Sequence, residues 1–484
     1  MERTAQYGNL RLRLPGSAAL CALLTIGLFA VQTVMMNAVL LHTGGLGGAA
    51  VLSLLFTAVY GFALYAYAAL QKPDGGTLLF TGLTMAVLML ARTVMLDYET
   101  ADYTTFLSQW TQVFRDGGYK MLAENVGDYN LIYQYILLVI SATPIKDLYL
   151  IKYVTVVFDF LLALTMMQAA GNFAGRKYSL PVLLTTLALP TVVIDGACWG
   201  QCDPVYVFFI IMSLYMLETD RPYRSAISLA VAFAFKLQTI FFFPVVLLGL
   251  IHKKYKLRHA LAFFAAYLVT MIPAMLAGRT FVDAISVYAN QSMGQYYDRL
   301  TYNAPNLYLF FPMWEFDGTQ EYTWMRYIED IDGKSTNPYL QGALMPALQH
   351  AALYACIILT LIVVIYWLLH YKEVTPDMTL DFALFFALFL PFVMPKIHER
   401  YFFLADMLSI LYAARYVNRR FIPVPVVTAS LMCYMPYLTR QRPLDERWLA
   451  LMMLFALVVV SYDILTKMRK NRAALAAQKG GAAA

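Results

Sequence analysis

Charge is what this 484-residue chain has least of. Only 14% of its residues are Asp, Glu, Lys or Arg, where a soluble domain is about a quarter charged. Cysteine is also sparse. The five cysteines show no metal-ligand spacing, and Cys198 and Cys202 read as two buried thiols. No convincing small-residue cleavage site follows Met1 to Pro15, a segment with Arg3, Arg11 and Arg13, so the next apolar run reads as a retained first span. Internal repeats of the kind that build many transporters are lacking too. The only low-complexity tract is the tail 474–484.

Apolar runs fill the space that charge leaves. They fall near 17–42, 49–71, 77–96, 148–170, 180–197, 203–219, 224–237, 239–251, 259–277, 346–370, 378–395, 401–418, 421–438 and 447–465. Most are long enough for roughly 30 Å of hydrocarbon, although 224–237 and 239–251 are short, and lipid-exposed backbone must satisfy itself within helices. The fold class is an all-α polytopic membrane protein with about 14 transmembrane helices. Arg176 and Lys177, Arg221 and Arg224, the stretch 252–259, Lys372, Arg415, Arg419, Arg420 and the tail 466–472 all fall on one side of this count. By the positive-inside rule that side is cytoplasmic, with both termini inside. The same scatter explains the net charge of +6 without nucleic acid as a partner.

Two long segments, about 97–147 and 278–345, then lie outside. In the first, "LDYETADYTTFLSQW" (96–110) places Asp97, Glu99 and Asp102 after the third span. Tyr103, Phe106, Leu107, Trp110, Val113 and Phe114 follow at the spacing of an amphipathic helix, ended by "DGG" (116–118) and lying in the interface plane. Asp102 stands where an N-cap would, a position that favours a carboxylate's ionised form. Asp128 and Tyr129 open an apolar stretch of about 14 residues, expected as an outer interfacial or re-entrant helix.

Other concentrated polar motifs land on the same outer face. They are "DGACWGQCDP" (195–204), "FKLQ" (235–238), "LTYNAPNLY" (300–308) and "MPKIHERYF" (394–402). Each has an ordinary structural reading. Trp199 suits an aromatic belt, Asp203 an N-cap before Pro204, Lys236 a snorkelling span end, and Asn303 and Asn306 a turn around Pro305. "KIHER" between two apolar spans is harder to read that way, because membrane-embedded ionisable groups are functional by default. Lys152 and Asp159, seven apart in the fourth span, read as a pair inside the bundle or as an interfacial Lys with a buried Asp.

In this order, "ADYTTFLSQW", "GDYN", "WGQCD", "FKLQ" and "HERY" resemble the GT-C superfamily of integral membrane glycosyltransferases, and within it bacterial proteins similar to GPI mannosyltransferase II. The likeness covers roughly residues 90–420 and departs at Asn130, where the family often has Pro. It implies a GT-C type bundle with interfacial helices in the first large outer loop, and transfer of a mannose-like or related hexose from a polyprenyl-phosphate donor. The acceptor would be a glycan, glycolipid or protein. It further implies Asp102 as general base with Asp128 in support. His398 and Arg400, with Lys396 and Lys236, would meet the donor phosphate. Asp97, Trp199, Gln201, Asp203, Gln238, Asn303, Asn306, Glu399 and Tyr401 would line the sugar and acceptor pocket.

No cofactor is expected. A divalent metal is not favoured, since no carboxylate cluster with oxygen-ligand spacing stands out beyond the opening stretch. The expected organisation is a two-span extension (1–76), a catalytic core (77–420) and C-terminal spans with a basic tail (421–484). The expected setting is a bacterial plasma membrane with the active site on the extracytoplasmic face. Two other readings remain: a proton- or ion-coupled transporter or lipid flippase, and a polysaccharide polymerase or ligase.

Overall fold

The computed structural model describes residues 4–7, 10–13, 16–289, 300–310 and 344–481. The chain is a multi-pass, almost wholly helical protein. Nine described helices are long and apolar enough to cross a membrane, or ten if the bent pair Arg176–Ala188 and Pro190–Trp199 is one span. The other four apolar runs are also helices: Asp203–Glu218, Pro222–Phe235, Phe243–Ile251 and Phe403–Arg415. At 1.5 Å per residue the longest of these reaches only about 24 Å. All fourteen runs are therefore helical, but four stop short of a full crossing length.

The residues gather into two compact units. The first is Met1–Leu237 with Leu261–Ala289, the second Gln238–Ala260 with Asn290–Ala484. Much of the second outer segment (290–299 and 311–343) lies outside the described residues.

The first unit is organised around one helix. In chain order its elements include α1 (Ser17–Val39), α2 (Leu46–Gln71), α3 (Gly75–Thr93), α4 (Ser108–Gly117), α5 (Leu131–Ser141) and α6 (Asp147–Phe173). Then come α7 (Ser179–Ala188), α8 (Pro190–Val193), α9 (Asp203–Glu218) and α10 (Pro222–Phe235). Helix α6 is central, packing against α2, α7 and α9 and burying Leu150, Val156, Phe160, Leu164 and Met167. On α1, by contrast, Leu23, Ile26 and Val34 are exposed, as expected of a lipid-facing stripe.

Helix α3 starts where Asp74 accepts hydrogen bonds from the Thr77 backbone N–H (3.0 Å) and hydroxyl (2.7 Å). Those bonds, the backbone one first, hold the Asp74 carboxyl below the usual carboxylate range. The 48° bend between α7 and α8 falls at Leu189, which is extended (ψ 124°). It precedes Pro190, and a residue before proline is pushed out of the helical region.

Of the two readings of the charges in α6, the pair is corrected and the buried Asp is found. Lys152 and Asp159 do not pair with each other. The Asp159 carboxylate accepts from Arg92 Nε at 2.9 Å, with both side chains fully buried. Arg92 also donates to the Leu88 and Leu187 carbonyls (3.1 and 2.9 Å). Lys152 Nζ instead donates to the carbonyls of Met95, Leu96 and Tyr98 (2.8, 3.0 and 2.6 Å), tying down the chain just beyond α3. Seven residues are two helical turns, about 10 Å, too far for a direct contact.

In the second unit the helix Thr379–Val393 is buried on every side and packs against Phe403–Arg415 and Glu446–Gly481. The helix Leu344–Leu369 exposes Ile358, Ile362, Ile365 and Leu369. Counting the N-terminal antiparallel pair β1 (Thr4–Tyr7) and β2 (Leu10–Arg13), the next strands are β3 (Thr301–Tyr302) and β4 (Ile397–His398). These two pair in parallel, Thr301 opposite Ile397 and Tyr302 opposite His398.

Candidate functional site

Helix α4 is preceded without a break by a π-helical turn, Tyr103–Leu107. The turn begins one residue after Asp102, and the cap expectation fails there. Asp102 has helical dihedrals (φ −60°, ψ −38°) and makes no cap bond. Thr100 does the capping: its hydroxyl accepts from the Tyr103 N–H (3.3 Å), and its carbonyl from the Thr104 N–H (3.0 Å). A second fastening is Tyr103 itself, whose hydroxyl donates to Asp147 at 2.7 Å. Burial, and then that carboxylate, push the Tyr103 phenol well up, which keeps it a donor.

Relieved of capping, the Asp102 carboxylate turns to the protein. Its Oδ2 accepts from Trp199 Nε1 at 2.9 Å and from Gln201 Nε2 at 2.6 Å. Gln201 Oε1 in turn accepts from the Tyr129 hydroxyl at 2.8 Å, and the Tyr129 carbonyl accepts from Gln134 Nε2. Three separated motifs thus meet in one hydrogen-bonded chain. Trp199 is about 1% exposed, so it is no belt residue. It ends a second π-helical turn, Ile194–Trp199, and Gly200 follows at φ +77°. Both π-turns therefore abut the Asp102–Trp199 bond, and π-bulges occur frequently at functional sites.

Asp203 begins α9 but does not cap it. Its carboxylate is buried against Lys236 Nζ at 2.7 Å, and Lys236 lies over the Tyr206 ring (5.5 Å). Asp97 is tied into structure, accepting from the Leu41 N–H (2.7 Å) and from the Tyr149 hydroxyl. Glu99 pairs with Lys146 at 2.6 Å. Asp128 is exposed, and its neighbour Tyr129 is the residue that joins the network. Asn130 has φ −69°, a value a proline would also adopt, and it N-caps the 11-residue α5. The departure from the family pattern thus leaves a proline-compatible backbone. Cys202 is buried as expected, but Cys198 is only partly so.

The Tyr129 ring meets the Trp110 ring edge-on at 5.7 Å. Trp110 packs against Gly127, which sits at φ +75° and where an added Cβ would lie 2.4–2.8 Å from indole carbons. Gly127→Ala should therefore destabilise the protein by about 1–3 kcal/mol from backbone strain alone. Thermal unfolding in detergent measures this, and an unchanged midpoint would show that the loop yields.

The second unit holds its own cluster. The β3–β4 pairing brings "LTYNAPNLY" against "KIHERY", and the Tyr302 ring stacks on His398 (4.8 Å, 13°). Tyr401 lies 5.4 Å from His398 with its ring tilted by 49°. Glu399 is buried, accepts from Arg400 Nη1 at 3.1 Å and lies 4.0 Å from His398 Nδ1. Partial burial holds the Lys396 ammonium below the usual lysine range. Asn303 is left-handed (φ 51°) and bridges to His398. Asn306 is fully buried, accepting from the Tyr308 N–H at 3.2 Å. Gln238 is buried in the short turn Leu237–Phe242.

Among the described residues no group of three His, Cys, Asp or Glu side chains is placed to hold a metal ion. Sequence reasoning missed Arg92, Tyr129's bond to Gln201 and the Thr100 cap. Only Tyr129 carried a signal, as the aromatic beside Asp128. The chain matches no family model and no curated protein sequence, so the functional argument rests on its own residues.

Proposed function

We propose that this protein is a GT-C type membrane glycosyltransferase that moves a hexose from a polyprenyl-phosphate donor to an acceptor hydroxyl. The observation that carries the reading is the pair of hydrogen bonds from Trp199 and Gln201 to Asp102. They hold one carboxylate in a set orientation at the head of an otherwise amphipathic segment. In the proposed step the acceptor oxygen bonds to the anomeric carbon and its proton passes to Asp102. The bond from that carbon to the phosphate oxygen breaks on the opposite face, and the lipid phosphate leaves with the electron pair. Phosphate needs no general acid, only positive charge, and the reading assigns that to His398 and Arg400 with Lys396. Lys236 is the weaker candidate, because Asp203 already takes its charge.

The reading places the chemistry on the extracytoplasmic face of a bacterial plasma membrane, with both termini cytoplasmic and about fourteen spans. Its support is the distribution of basic residues described above. Purified protein offered a panel of polyprenyl-phosphate hexoses should release the lipid phosphate from at least one. No release from any of them would overturn the reading.

One observation favours a transporter instead, the fully buried Arg92–Asp159 pair between two long apolar helices. Solute counterflow in proteoliposomes, with no donor turnover, would decide for it.

A further inference from the structure

The loop that seats Trp110 also shapes a cleft of about 690 Å³, separate from the Asp102 hydrogen bonds. Trp110, Lys120, Met121, Glu124, Asn125 and Val126 are among its lining residues. Four of these carry polar groups with no hydrogen-bond or ion-pair partner among the described residues: the Trp110 indole N–H, the Lys120 ammonium, the Glu124 carboxylate and the Asn125 Nδ2. Solvated side chains on a loose loop would look similar, but this loop is fixed from behind. Arg279, about 4% exposed and coming from a distant segment, donates to the Glu124 carbonyl at 3.0 Å and to Asn125 Oδ1. Gly127 at φ +75° then brings the backbone flat against the Trp110 indole. A buried arginine and a left-handed glycine hold the exposed groups in place.

We propose that this cleft binds a neutral saccharide chain, the acceptor glycan, an inference that rests on the glycosyltransferase reading. An indole offers an apolar face for the C–H side of a sugar ring. Around it stand donors (Lys120, Asn125, the indole N–H) and an acceptor (Glu124), the mixture that a hydroxyl-rich ligand requires. The lining carries one ammonium (Lys120) and one carboxylate (Glu124), a balance of charge that argues against a phosphate headgroup as the occupant. An acyl chain would strip water from all four polar groups without replacing it.

Position adds the ligand's size. Trp110 lies eight residues beyond Asp102 on the same helical segment, seven α-steps once the π-turn's extra residue is discounted, or about 10 Å along the axis. A sugar at Trp110 whose chain end reaches Asp102 belongs to an oligosaccharide and not to a single hexose.

The test uses the purified full-length chain and neutral mannose- and glucose-based saccharides of one to four units. Binding is read by ligand-observed NMR, which needs no turnover. Three- and four-unit chains should bind at least tenfold more tightly than single hexoses. Lys120→Gln with Glu124→Gln should weaken that binding at least fivefold with the thermal midpoint unchanged. Equal affinity at every length, or affinity indifferent to the double variant, overturns the inference. So does displacement of the saccharide by vesicles of anionic lipid but not of zwitterionic lipid. The two readings fail separately. Donor turnover that depends on Asp102 but lacks any saccharide binding removes only the cleft. Saccharide binding without release of lipid phosphate from any donor removes the transferase and leaves a glycan site.

Discussion

Asp102→Asn should lower sugar transfer by about 10² to 10⁴-fold, the usual contribution of a general base, while the protein unfolds at nearly its normal temperature. The substitution is close to isosteric. An asparagine oxygen in the place of Oδ2 can still accept from Trp199 Nε1 and Gln201 Nε2, so the hydrogen bonds to α4's entry and the 199–201 turn survive. Thr100, not Asp102, caps the segment, so the helix start does not depend on the carboxylate either. What the amide lacks is a site basic enough to take the acceptor's proton. The measurement is single-turnover release of polyprenyl phosphate beside a melting curve. Near-normal turnover would remove Asp102 from the chemistry. Lost turnover together with a collapsed fold would make its role structural.

Arg92→Met should be the most destabilising change in the first unit, at about 3–5 kcal/mol, because it leaves the Asp159 carboxylate buried without its partner. It also takes a donor from the Leu187 carbonyl, which lies beside the bend before Pro190. The double variant Arg92→Met with Asp159→Leu should recover most of the loss, since replacing a whole buried pair by apolar groups is often close to neutral. Thermal unfolding of the four proteins in one detergent forms the cycle. A single variant as stable as the native chain would mean that water or another group reaches Asp159. Asp159→Asn separates the roles further. If it keeps the fold and donor turnover, the pair is structural.

The helical frame was legible because apolar runs in a membrane chain admit few alternatives, and all fourteen runs proved helical. The shortness of the 14-residue Pro222–Phe235 was visible in its run, whereas Asp203–Glu218 and Phe403–Arg415 come from runs of 17 and 18 residues that composition alone did not separate from crossing helices. The convergence of Asp102 with "WGQ" was expected only through resemblance and a shared outer face, and within the first unit the hydrogen bonds bring those residues together. Periodicity could not reveal the caps and partners. Thr100 and Asp102 are both good N-cap residues two positions apart, and only the backbone decides between them. Arg92 lies near the end of an apolar run, where nothing local distinguishes it. Its partner lies 67 residues on, a distance no local pattern reports. The cleft at 120–127 lies on a short 3-10 turn (Gly118–Ala123) and the loop after it, and only its last residue, the glycine of "GDYN", fell within a motif, so the sequence did not mark it as a cleft.

The π-helical turn at Tyr103–Leu107 settles a matter of angle. In an unbroken α-helix, eight residues at about 100° each would set Trp110 roughly 80° around the axis from Asp102. A π-turn absorbs one extra residue, so the two side chains stand only about 20° apart on the same count of seven α-steps. That rotation lets a single ring, Tyr129, touch Trp110 while its hydroxyl reaches the glutamine that holds Asp102. One surplus residue aligns the carboxylate with the indole eight positions away.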